Sequence, residues 1–152
     1  MYSANPFDPK TVLLAKHAQH VALVHFPIAL FIAGAALDVV GQWTKRRALA
    51  EAAYYNLMLA AVSVVPVLAT GILAWRLQLG GQKLKGTLLM HLVAACLSTV
   101  LIVAAWWSHC RARRVGGALP GYRLAIEALG VILVGLTGHL GGFVSGVSGS
   151  GG

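Results

Sequence analysis

Acidic residues are scarce in this chain: four, against twelve lysines and arginines in 152 residues. Charged residues together make up 11%, where a soluble domain carries about 25%. That shortfall excludes an ordinary water-facing surface. Cysteine is scarce too. Cys96 and Cys110 are the only two, and neither stands in a CxxC or CxxCH context, which argues against a zinc ribbon and against covalent c-type haem. Cys96 lies in an apolar run and reads as a small packing residue. There is no coherent Ser-His-acid set and there are no paired carboxylates, so no catalytic residues are predicted and a stand-alone enzyme is not the favoured reading. Met1 to Pro9 contains no basic segment, so no cleavable signal peptide is expected.

What the chain has is apolar length. It is 58% hydrophobic, with mean hydropathy +0.76. Four apolar runs, over 21–41, 52–75, 87–107 and 122–144, each approach the ~20 residues needed to cross ~30 Å of hydrocarbon. The connectors "QWTKRRALAE", "RLQLGGQKLKG" and "SHCRARRVGGALPG" are short and leave no room for a soluble domain between spans. Short connectors make successive helices antiparallel neighbours. The predicted fold is an all-α, up-down four-helix transmembrane bundle over 20–146. An N-terminal segment, 1–19, is expected to hold a short interfacial helix with Asp8 as N-cap and Pro9 at its first position. A Gly/Ser tail, 147–152, is flexible by composition.

The net charge is +8, yet the basic residues sit in clusters between apolar runs, which speaks for membrane loops and against nucleic acid. The termini and the middle connector carry Lys10, Lys16, Arg76, Lys83 and Lys85. The other two connectors carry Lys45, Arg46, Arg47, Arg111, Arg113, Arg114 and Arg123. The second group is larger, so it is expected to be cytoplasmic, with the termini outside a bacterial inner membrane. Trp43, Trp75, Trp106 and Trp107 fall near span ends as interfacial anchors. Pro66 predicts a kink in the second span, its freed backbone met by Ser63.

Histidine is the residue that calls for explanation. His25, His91 and His139 lie on three different spans, each roughly 7 Å from the same membrane face. His20 and His17 sit just above that layer; His109 lies at the opposite face. Small residues accompany the layer: Thr87, Ala94, Ala95 and Ser98 on the His91 face, Gly135 and Gly142 around His139. Ionisable groups inside spans are rare and usually functional, so His25, His91 and His139 are expected to point into the bundle. His17 and His109 read as interfacial hydrogen-bonders, and Asp38 as a structural partner for a loop arginine. Pro27 reads as an early-turn residue that aims His25.

"HVALVHFPIALF", followed by Asp38, resembles the opening of the domain-of-unknown-function 2231 family of bacterial membrane proteins. "ATGILAW" in the second span, His91 early in the third and "TGHLGGFVSG" near the end resemble further segments of that family, over His20 to Gly146. Val21 replaces the family's usual proline and Ala74 its common acidic residue. The resemblance implies a four-helix membrane module, sometimes associated with cytochrome or dehydrogenase partners.

The residues themselves suggest a cofactor. In a ring of four helices about 10 Å apart, spans one and three are diagonal, roughly 14 Å from each other. That suits two imidazoles on one haem iron, so His25 and His91 are predicted axial ligands of a b-type haem. His139 and His20 would lie in its surroundings, Gly138 and Gly142 would make room for the ring, and Arg76, Lys83 and Lys85 would meet propionates. The expected function is an electron-transfer subunit between a quinone pool and a partner redox protein, with lipid and further copies of the chain as its other expected contacts. Two alternatives stay open: a histidine-lined zinc or copper site, and a cofactor-free anchor or assembly module of a larger complex.

Overall fold

The computed structural model describes residues 16–77 and 79–145. The expected interfacial helix, the His17 side chain and the Gly/Ser tail lie outside the described residues. Four helices account for nearly all the rest: α1 (Lys16–Thr44), α2 (Arg47–Leu77), α3 (Gly86–Val115) and α4 (Arg123–Val144). All four are long and apolar enough to cross a membrane. Only 22% to 28% of their most apolar windows is buried, so most of the apolar surface faces outward, as it must where lipid is the solvent.

The helices form a ring. α1 packs chiefly on α2 and α3 on α4, and lighter contacts between α2 and α3 and between α1 and α4 close it. The middle of the bundle is a dry plug of Phe31, Leu57, Ala60, Ala61, Val64, Ile102, Ala105 and Val134. Close approach there depends on Gly130, where an added Cβ would lie 2.6 Å from the Phe31 ring.

The helices outrun the apolar runs. The first connector shrinks to Lys45 and Arg46, because α2 already begins at Arg47. Lys45 makes that turn in the left-handed region, at φ 57. Arg111, Arg113 and Arg114, read from sequence as loop residues, belong to α3, which stops only at Gly116 with φ 62. At 1.5 Å per residue α3 is about 45 Å long, well beyond the hydrocarbon thickness. The last turns of α3 therefore carry polar residues while still packed against α4.

Pro27 and Pro66 lie in helix interiors. Pro27 is not in an early turn, because α1 starts eleven residues before it. Pro66 lies inside α2, which runs unbroken from Arg47 to Leu77, and Ser63 donates to the Ala60 carbonyl at 2.9 Å rather than to the carbonyl the proline frees. Cys96 is exposed and Cys110 is the buried cysteine, the reverse of the packing role expected for Cys96.

Candidate functional site

The bundle has two polar ends. The first holds the expected histidine layer, and helical phase decides which histidines face inward. His91 is half-buried and donates from Nδ1 to the Thr137 carbonyl at 3.1 Å. It lies seven residues before buried Ser98, about 20° from it around the helix. Ser98 donates to the Thr137 hydroxyl at 2.9 Å, which in turn donates to the Leu133 carbonyl at 2.7 Å. His20 is also inward, its Nδ1 3.1 Å from the Thr70 hydroxyl on α2. Each ring rests on a glycine: a Cβ at Gly141 would lie 3.2 Å from His91, and one at Gly71 3.0 Å from His20.

His25 and His139 do not share that orientation. Both are exposed. His25 is six residues before the core residue Phe31, about 120° away around α1, and donates to its own helix at the Val21 carbonyl, 2.7 Å away. His139 is five residues after Val134, about 140° away around α4, and meets the edge of Phe143 with ring centroids 5.0 Å apart. The expectation that His25, His91 and His139 all point inward is therefore corrected: equal depth does not give equal azimuth. Gly138 faces Ile28 of α1, and Gly142 is half-buried. Arg76, Lys83 and Lys85 are exposed, and the Trp75 indole closes their connector by donating to the Gln82 carbonyl at 3.0 Å.

The second end is charged, and most of it went unread in the sequence. Asp38, His109, Arg123 and Glu127 are each at most 3% exposed. Arg123, at the start of α4, donates from Nε to Asp38 Oδ2 at 2.8 Å, from Nη2 to Gln42 at 2.7 Å and from Nη1 to the Pro120 carbonyl at 3.2 Å. This is the arginine partner expected for Asp38. His109 Nε2 lies 3.0 Å from Glu127 Oε1 and 3.9 Å from Asp38 Oδ2. His109 is thus not an interfacial hydrogen-bonder but the hub of a buried centre. The second carboxylate oxygen, Glu127 Oε2, is buried without a hydrogen-bond partner. The sequence did contain a signal for this centre: Glu127 is an ionisable residue inside an apolar run.

Position follows from periodicity. Asp38, His109 and Glu127 each lie seven residues from a plug residue: Phe31, Ile102 and Val134 respectively. Seven residues drift only about 20° around a straight helix, so all three inherit the inward face of the plug. Beside the centre lies a cavity of about 250 Å3 lined by His109, Arg47, Glu51, Tyr54 and Arg113 among others. Arg113 is held over the Tyr54 ring, 4.1 Å from its centroid.

Four membrane-length helices in an antiparallel ring define a multi-pass membrane protein. The chain belongs to the family described as predicted membrane protein (DUF2231), whose model matches residues 16–151. No curated protein and no solved structure matches it.

Proposed function

We propose that the protein is a membrane anchor or assembly module of a larger complex, working without haem. The observation that carries this reading is that the inward histidines link helices: His20 bonds α1 to α2, while His91 and His109 bond α3 to α4. Such bonds clamp a bundle whose apolar exterior has only lipid and partner helices to contact. The basic connectors support a bacterial inner-membrane location with the termini outside.

The electron-transfer reading is the alternative, and one observation favours it. By donating Nδ1–H to a carbonyl, His91 leaves Nε2 as the free acceptor, the tautomer an axial ligand needs. The second ligand expected from the sequence, His25, is turned about 120° from the core direction.

The optical spectrum separates the two. Protein produced with ample haem and purified in detergent should be colourless and should migrate in native gels of solubilised membranes within an assembly larger than itself. Reducible Soret and α bands that vanish in His91→Ala would overturn the anchor reading and establish the haem protein.

A further inference from the structure

Among the described residues, two buried side-chain polar atoms lack a partner: Trp106 Nε1 and Glu127 Oε2. The second is the informative one. It belongs to a carboxylate 2% exposed, and a bare carboxylate oxygen in a low-dielectric interior forfeits hydration with nothing in return. It also belongs to a centre whose charges do not balance. Asp38 and Glu127 contribute two negative charges, and Arg123, paired to Asp38, contributes one positive. With neutral His109 the centre is one positive charge short.

We propose that Asp38, His109 and Glu127 bind one divalent first-row metal ion. One donor atom from each lies within 4.8 Å of the others. The distances from His109 Nε2 to Glu127 Oε1 and to Asp38 Oδ2, 3.0 and 3.9 Å, bracket the roughly 3.4 Å between ligands held ~2.1 Å from a tetrahedral ion. The donor set is one imidazole and two carboxylates with no sulfur, which suits manganese, iron or zinc over copper(I). A chelating Glu127 would use both of its oxygens and so give Oε2 the partner it lacks. A proton on His109 would bring the centre to neutrality and a divalent ion takes it to a net charge of +1, but the proton reaches only Oε1, and a proton on Glu127 itself would leave Oε2 still without a partner. On binding, the single ring proton of neutral His109 moves from Nε2 to Nδ1, which frees the Nε2 lone pair for the ion with no net release of a proton. The Arg123 bonds to Asp38 and Gln42 fix one ligand from outside, as supporting hydrogen bonds do in metal sites. The cavity lined by His109 and Glu51 gives the ion a route in. The Arg113 guanidinium is drawn aside onto Tyr54.

The test uses the full chain in detergent, its affinity tag removed, stripped with a chelator and titrated separately with Mn2+, Co2+ and Zn2+. One ion per chain should remain after desalting, and Glu127→Gln should weaken binding about tenfold or more while His91→Ala binds like the parent. Pulsed EPR on the Mn2+-loaded parent should show coupling to one imidazole nitrogen, a readout that needs no variant to fold. No retained ion, no nitrogen coupling, or equal binding by a folded Glu127→Gln would overturn the proposal. So would loss of binding in His91→Ala, which would place the ion in the histidine layer. The optical spectrum reads haem separately, so the anchor reading and the metal site stand or fall independently.

Discussion

The two ends of the bundle solve one problem with different chemistry. At the histidine end, α3 and α4 are joined by neutral bonds: His91 to the Thr137 carbonyl and Ser98 to its hydroxyl. At the charged end, the same two helices are joined by His109 and Glu127, and Arg123 reaches Asp38 on α1. A neutral clamp can lose one member and leave behind only dipoles. A charged one leaves behind an ion. The charged end is therefore the more costly to disturb, although both ends use an imidazole on α3.

Removing Arg123 should have the largest effect. Arg123→Met strands Asp38 and should cost about 3–5 kcal/mol, as breaking buried pairs does. Melting in detergent followed by circular dichroism measures it, and the double replacement with Asp38→Leu should recover most of the loss. A small effect from Arg123→Met alone would erase the distinction between the ends. His91→Ala comes next. Hydrogen bonds between membrane helices average about 0.6 kcal/mol and reach roughly 1.7, so its melting shift should be clearly smaller than that of Arg123→Met. Smallest are His25→Ala and His139→Ala. Among the described residues their exposed rings bond or stack only within their own helices, and the shift should stay within about 0.5 kcal/mol. A shift from either as large as that of His91→Ala would mean that the histidine layer is shared after all.

The differences between sequence and structure have two physical origins. Depth along a helix is legible in sequence, because apolar length and helical rise fix it. His25, His91 and His139 were placed at one level on that basis. Azimuth is not legible when a helix is apolar on every face, since the apolar stripe that marks the inward side of a soluble helix is missing. His25 and His139 could be turned inward or outward at no cost visible in the sequence. His109 was misread for another reason. The sequence showed an apolar run ending at Trp107 and basic residues after it, which reads as a loop. Helix propensity and packing against α4 carry α3 two further turns, and those turns bring His109 against Glu127. The family resemblance was legible because it rests on local strings such as "HFPIAL", which do not depend on orientation.

The Asp38–Arg123 pair also sets an order of events in time. The two residues are 85 positions apart, on the first and last helices. At about 5–20 residues per second, a ribosome makes Asp38 roughly 4–17 s before it makes its partner. For that interval the first hairpin exists with a carboxylate that lacks its Arg123 partner, and the contact of α1 with α4 is still to be made. The turn at Lys45 and Arg46 lets the hairpin form at once, but only the arrival of α4 neutralises it. A chain released before Arg123 is thereby marked as unfinished by an uncompensated charge within its own membrane span.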